Sequence, residues 1–401
     1  MQLPNLFKSV YFYSILIFFI SILLGFRFPF TERNIILYAY GGSSNAKVFI
    51  LASVFCLSVI FFLVNKNSIN RFKLNSVSLS FAFILIWSVV SISWSVSPYD
   101  SIRRVTVLIM FSTVIFLSVN YFGRNVMDIL RNTISCLLFL SLFVIIIYPS
   151  LGMSDIGWKG IFVQKNTLGL VCGLQILLIY FTLNNINFKR KILHFSLPLL
   201  LLVGSQSKTV FVIVLSVPIL LYIFSRYKFT FVLFVTSIFL VYLIIVNNGV
   251  FSNLFYELDN GMFTGRVQIW KFILNFISDN KFFGLGYGAF WGANIDVKLY
   301  YTEWFVTKVS EGHSGYFDTI VTIGLIGFFL LFINFLFIWD LLSKTSNSNS
   351  KNVALLQSLT IFVVIYNVTE SAFFASTHIA WLINVFIIAF CCTNEVCSND
   401  S

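Results

Sequence analysis

Residue types able to do chemistry are confined to a few short stretches of this chain. The longest, "TGRVQIWKFILNFISDNKFFGLGYGAFW" (Thr264–Trp291), brings arginine, lysine and aspartate back into a sequence otherwise dominated by hydrocarbon. Within it Val267, Ile269, Trp270, Ile273, Leu274, Phe276 and Ile277 recur at helical spacing, with Thr264 as N-cap and Ser278-Asp279-Asn280 as stop. Arg266 then falls in the first turn. Free backbone N–H groups, the positive end of the helix dipole and a guanidinium together suit a diphosphate. The same spacing also describes an amphipathic helix lying on the outer membrane surface, its arginine paired with lipid headgroups. Spacing alone leaves both readings open. Gly284, Gly286 and Gly288 have two readings as well: a nest of amides around an anion, or a tight return toward the membrane. A dinucleotide fingerprint is excluded, because no strand–turn–helix unit surrounds them.

Three histidines occur. His194 starts an apolar run and His378 sits beside the last one; both read as structural hydrogen-bonding residues. His313, in "EGHSGYFDTIVTIGLIG", stands where a long polar connection returns to apolar sequence. A helix N-terminus disfavours an imidazolium, so a neutral His313 could accept a proton; the competing reading is a helix cap. Further cations gather in "SWSVSPYDSIRRV" (Arg103, Arg104), "GWKGIFVQKNTLG" (Lys159, Lys165) and "GSQSKTV" (Lys208), and "YNVTES" supplies Glu370 near a helix end. Singly, each can be a topology signal or a snorkelling side chain. Their convergence on one side reads as a cationic cavity for a lipid-linked phosphate.

The elements that must position these residues are membrane helices. The chain has 401 residues, 58% hydrophobic and only 10% charged, against about 25% charged in a soluble domain. A net charge of +11 would point to nucleic acid in a soluble protein. Here the basic residues sit in short loops, so nucleic acid is not expected as a partner and the charges set topology or meet anionic lipid. An all-α polytopic fold follows, with twelve spans: Val10–Phe26, Val48–Val64, Val77–Trp94, Val105–Val119, Thr133–Tyr148, Thr167–Leu183, Ile192–Leu202, Thr209–Phe224, Phe229–Val246, Gly315–Trp339, Val353–Val368 and Ala375–Cys391. The first lacks a small-residue cleavage site and reads as a retained helix. The organisation is nine spans over 1–246, a large loop at 247–314, three spans over 315–392 and a short tail, 393–401. Lysine and arginine in the short connections number thirteen on the N-terminal side and eight on the other. That bias places both termini in the cytoplasm and the large loop outside. The six cysteines lie in apolar runs or at the C-terminal end, with no metal spacing and no disulfide framework.

Together these stretches resemble a known family. "TGRVQIWKFILNFISDNKFFGLGYGAFW" followed by "HSGYFDTIVTIGLIG" is similar to the signature loop of the bacterial O-antigen ligase and polysaccharide polymerase superfamily. "SWSVSPYDSIRR", "WKGIFVQKNTLG" and "VTES" resemble further landmarks, so the likeness spans roughly Trp94 to Trp381. The resemblance implies a metal-independent, cofactor-free glycosyltransferase of the bacterial inner membrane. It would work at the periplasmic face on an undecaprenyl-diphosphate-linked glycan donor and a glycan acceptor, within the lipid bilayer and with a chain-length regulator as a further partner. It also implies roles: Arg266 binds the donor diphosphate, His313 activates the acceptor hydroxyl, and Arg103, Arg104, Lys159, Lys165, Lys208 and Glu370 line the substrate site. Ligases of the family often carry arginine where this chain has Lys208, and "WKGIFVQKNTLG" is closest to the exopolysaccharide-polymerase branch. The expected activity is therefore polymerisation of repeat units into O-antigen, capsule or exopolysaccharide. Ligation to lipid A core or protein is the alternative. A polysaccharide flippase is the reading from another class.

Overall fold

The computed structural model describes residues 3–25, 45–65, 72–183, 187–247, 257–259, 265–292, 309, 311–345, 351–375 and 378–393. Among these the protein is a bundle of helices: α1 (Leu3–Leu23), α2 (Asn45–Val64), α3 (Ser76–Val90, continued by a 3-10 turn to Trp94), α4 (Pro98–Phe122), α5 (Asn125–Ile147), α6 (Lys165–Thr182), α7 (Phe188–Ser205), α8 (Lys208–Arg226), α9 (Lys228–Asn247), α10 (Arg266–Asp279), α11 (Gly315–Thr345), α12 (Lys351–Thr369) and α13 (Ile379–Cys391). A two-stranded antiparallel hairpin, Met153–Ser154 with Gly157–Trp158, is the exception to the all-α expectation.

Nine of the described helices are long and apolar enough to cross a membrane: α2 to α6, α8, α9, α11 and α12. The described apolar parts of α1 and α13 are shorter, and α7 opens with Lys189, Arg190 and Lys191, which lower its hydropathy. All twelve expected spans are helices, yet several begin earlier than the apolar runs suggested. Helix α4 begins at Pro98, a residue that suits the first helical position, so Arg103 and Arg104 lie on a helix and not in a loop. Helix α5 likewise begins at Asn125, where an Asp128–Arg131 pair supports its polar first turns. The last helix starts later than expected, at Ile379, because Asn367 Oδ1 accepts hydrogen bonds from Ala372 and Phe373 N–H and turns the chain away from a helix after α12.

Two features position the site. Helix α10 is amphipathic, as its spacing predicted, but Val267, Ile273 and Ile277 are buried and the helix packs on α11 and α9. Its apolar face therefore covers protein. Its N-cap is Gly265, at φ +82°; Thr264 lies outside the described residues. The second feature is a break in α11 at Gly324, whose φ of 71° and ψ of −176° are not helical. The peptide groups this break frees are taken up by the glycine segment. Leu285 and Gly286 N–H donate to Val321 and Thr322 carbonyls at 2.9 Å, and Leu325 N–H donates to Lys281 O at 2.8 Å. The Trp87 indole N–H reaches Ile323 O at 2.9 Å. A side chain at Gly324 would collide with the Phe282 backbone. Amides spent on this joint, together with Tyr287 N–H on Ser91 Oγ, leave no anion nest at Gly284–Gly288. The glycines serve close backbone docking.

Candidate active site

His313 is carried by the tight turn Glu311–Gly312–His313 that leads into α11. Gly312 is held from both sides. Its carbonyl accepts from the Trp270 indole of α10 at 2.9 Å, and its N–H donates to Asp318 of α11 at 3.2 Å. Asp318 also accepts from Trp291 Nε1 at 2.8 Å, which ties in the end of the glycine segment. His313 itself adopts φ 48°, left-handed backbone that non-glycine residues seldom occupy outside turns and functional sites.

The start of α11 is fastened to the end of α12. Gly315 N–H donates to Glu370 O at 3.0 Å, Ser314 N–H to Ser371 Oγ at 3.1 Å, and the Tyr242 hydroxyl of α9 meets Ser314 Oγ at 2.9 Å. Gly315 has no room for a Cβ, which would collide with Asn367 Oδ1. This close approach places His313 over Glu370. Ser314, whose carbonyl accepts from Asp318 N–H at 3.0 Å, occupies the capping position. His313 precedes the cap, and its Nδ1 faces carboxylates: Glu370 Oε2 at 3.5 Å and Glu311 Oε1 at 3.7 Å.

Glu370 is the centre of the cluster. Its Oε1 receives the Arg266 guanidinium at 2.7 Å and Asn166 Nδ2, one residue into α6, at 3.4 Å. Burial alone would raise its pKa, but the His313 and Arg266 partners outweigh burial and hold it below the ordinary carboxylate range. For His313 burial opposes the charged form, yet Glu370 and Glu311 win and raise its pKa. The sequence-based expectation of an imidazole kept neutral by the helix terminus is thereby corrected: two adjacent carboxylates exceed the terminus at this distance. Glu311 is pushed up to about 7, chiefly by burial. Glu311, His313 and Glu370 each offer a ligand-type atom, all within 4.8 Å of one another. A cation could sit at such a spacing, but Arg266 already supplies positive charge to Glu370.

Other expected site residues are placed differently. Arg104 is half-buried and donates to the Gly288 carbonyl, fastening the glycine segment to α4. Arg103 stands beside it on the same helix, partly buried. Lys165 opens α6 and bonds Ile156 O in the hairpin at 3.2 Å, and Lys159 follows the hairpin's second strand. Lys208 is the exposed first residue of α8. The first turn of α6 abuts that helix start, since a Cβ at Gly169 would collide with Ser207. The hairpin and the starts of α6 and α8 thus approach one another, and Asn166, next to Lys165, reaches Glu370. His378 is the half-buried N-cap of α13, its Nδ1 accepting from Ala380 N–H at 3.1 Å. His194 is exposed on α7. His378 caps a helix, in keeping with the structural reading of that residue. Glu311, Asn166, Asp318 and Trp270 escaped sequence reasoning; Glu311, two residues before His313, had a signal in its proximity.

Residues 193–332 match the family described as O-antigen ligase. That stretch is similar to the O-antigen ligase and polymerase superfamily. Members of this family are membrane enzymes that transfer glycans. The matched domain covers about a third of the chain, from α7 into α11, and includes Lys208, Arg266, Glu311 and His313. Glu370, Asn166, Lys165 and the Arg103–Arg104 pair lie outside it and join the domain only through the fold. No curated protein matches the chain.

Proposed function

We propose that the protein is a metal-independent polymerase. It joins undecaprenyl-diphosphate-linked oligosaccharide repeat units at the periplasmic face of the inner membrane. The observation that supports this most is the bridging of Arg266 and His313 by one carboxylate, Glu370, at 2.7 and 3.5 Å. A cation for a diphosphate and a base for a hydroxyl then stand side by side.

Arg266, at the N-terminus of α10, holds the donor diphosphate and stabilises the charge that develops as it leaves. Glu370 occupies one amino group of the guanidinium and fixes its orientation, leaving the rest of the fork for phosphate oxygens. Arg103, Lys159, Lys165 and Lys208 add positive potential around the lipid phosphate, and Arg104 holds the glycine segment beneath. His313 takes the proton from an acceptor hydroxyl. The oxygen attacks the anomeric carbon with inversion while the lipid diphosphate departs. The bond energy resides in the donor, so no nucleotide is needed.

Polymerisation is preferred to ligation because of Lys208 and "WKGIFVQKNTLG". A lysine neutralises phosphate but cannot fork onto it. The flippase reading would draw on the broken helix α11, since transporters use such breaks to line a pathway. Here the break is filled by the glycine segment and Trp87, which favours one-sided chemistry. The test is transfer by purified protein in nanodiscs, supplied with lipid-linked oligosaccharide extracted from the producing cells. A ladder of lengthening lipid-linked glycan, lost in Arg266→Ala and His313→Ala at equal protein, is expected. Single transfer to lipid A core identifies a ligase; full activity in both variants removes the mechanism.

A further inference from the structure

A hydroxyl activated by His313 needs an imidazole held in one tautomer, and two carboxylates compete to hold it. Glu370 divides its carboxylate between two partners, its Oε2 lying 3.5 Å from the same Nδ1. Its Oε1 carries Arg266 at 2.7 Å and Asn166 at 3.4 Å, and its side chain is only 8% exposed. Glu311 differs. It lies 3.7 Å from the same Nδ1, keeps 41% of its side-chain surface open, and so has room for the small rotation that makes a hydrogen bond. Its backbone, by contrast, is set: the intervening Gly312 is clamped by Trp270 and Asp318, and a Cβ there would meet Asp318 Oδ1 at 2.5 Å. The left-handed φ of His313 completes a turn that presents Glu311 and the imidazole to each other.

We propose that Glu311 is the positioning carboxylate of the site: it holds the Nδ1–H of His313 and leaves Nε2 as the atom that receives the acceptor proton. The inference rests on the acid–base reading of His313 given above. In the step itself, the acceptor O–H proton moves to Nε2 and the acceptor oxygen forms its bond to the anomeric carbon. The bond from that carbon to the diphosphate oxygen breaks, and its electron pair leaves with the lipid diphosphate. Nδ1–H stays on the ring, bonded to Glu311, whose negative charge stabilises the imidazolium that results. In the same step Glu370 serves Arg266 through Oε1, while its Oε2, 3.5 Å from Nδ1, adds to the negative charge beside the imidazolium.

The groups facing this pair are Arg266 from α10, Asp318 from α11, and Glu370 with Tyr366 from α12. Burial lowers the His313 pKa, but Glu370 and Glu311 outweigh burial and raise it. Since transfer needs a neutral imidazole, the rate falls on the acid side of the His313 pKa. Removing the Glu311 charge lowers that pKa, so the acid limb moves to lower pH.

Glu311→Gln, Glu311→Asp and His313→Ala are compared in nanodiscs with lipid-linked oligosaccharide extracted from the producing cells. Binding of undecaprenyl diphosphate is measured separately. His313→Ala is expected to lose about 10²–10⁴-fold in kcat. Glu311→Gln should lose about 10- to 100-fold, as a partner acting through the base, with KM for the donor and diphosphate binding unchanged and the acid limb shifted down. Glu311→Asp should recover part of the kcat and of the shift. The proposal is overturned if Glu311→Gln keeps wild-type kcat and acid limb while His313→Ala is inactive, which leaves the acid–base reading standing. It is also overturned if the loss is confined to protein abundance. Full activity in His313→Ala removes the acid–base reading and this inference together.

Discussion

The Arg266–Glu370 pair permits a quantitative test by double-mutant cycle, using Arg266→Met, Glu370→Gln and the double variant. At the observed separation of 2.7 Å two unit charges attract by about 6 kcal/mol at an effective dielectric near 20. Desolvation of both ions offsets a large part of that. The side chains are 16% and 8% exposed, so screening by solvent removes little more. A coupling of about 2–4 kcal/mol remains. Each single change costs about 3–5 kcal/mol, because it strands the other charge, and His313 loses a partner when Glu370 is neutralised. For a chain of this length 1 kcal/mol corresponds to a shift of about 1–2 °C in Tm. Thermal unfolding in nanodiscs, followed by tryptophan fluorescence, should place each single variant about 3–10 °C below wild type. The double variant should fall by less than the sum.

The same cycle has a pH signature. The folded-state pKa of Glu370 is depressed, so its contribution is present above the unfolded carboxylate pKa of about 4.3 and is lost as pH falls through the folded value. The gap between wild type and Glu370→Gln should therefore be full at pH 7 and close below about pH 4. Additive single effects, or a gap independent of pH, would refute the account of Glu370 as the charge that holds Arg266.

At the α11 break, Gly324→Ala places a Cβ at φ 71° against the Phe282 backbone. This φ, ψ pair lies in a region only glycine readily adopts and costs another residue about 1–3 kcal/mol, and loss of two of the backbone hydrogen bonds across the joint adds about 1–3 kcal/mol; a Tm within 1 °C of wild type would contradict this. Treatment with EDTA should leave transfer unchanged, because Arg266 supplies the charge a divalent cation would; activity lost to EDTA and restored by Mg²⁺ would make Glu311, His313 and Glu370 a metal site. An alkaline phosphatase fused after Asn260 should be active and one fused at the C-terminus inactive, as the lysine and arginine bias requires; the reverse pattern would put the site on the cytoplasmic face.

Membrane class and helical content were legible in the sequence because hydropathy is a local property. A run such as Lys47–Val64 must be helical in lipid whatever packs beside it, since its own backbone is the only partner available there. Arg266 and His313 were legible for a related reason: each stands in a motif read within a few residues. Helix ends were less legible. Polar first turns such as Pro98–Arg104 and Asn125–Asn132 carry no hydropathy signal, although they are as helical as the runs they precede.

Only the tertiary structure decided which residues share the site. Glu370 is 104 positions from Arg266 and Asn166 is 204 from Glu370, and no spacing rule connects them. Their meeting depends on α6, α10, α11 and α12 packing end to end. That packing turns on the absence of a Cβ at Gly315, on the hydrogen bonds of Asn367 and on the break at Gly324. The glycines of "GLGYGAFW" illustrate the limit. Their sequence allowed an anion nest or a tight return equally, because a glycine advertises room for a neighbour without naming it. The neighbour proved to be the interrupted backbone of α11, and the amides that could have held an anion were spent on its carbonyls. The direction of the His313 pKa shift was decided in the same way. A helix terminus visible in the sequence favoured the neutral ring, and two carboxylates brought to it by folding outweighed the terminus.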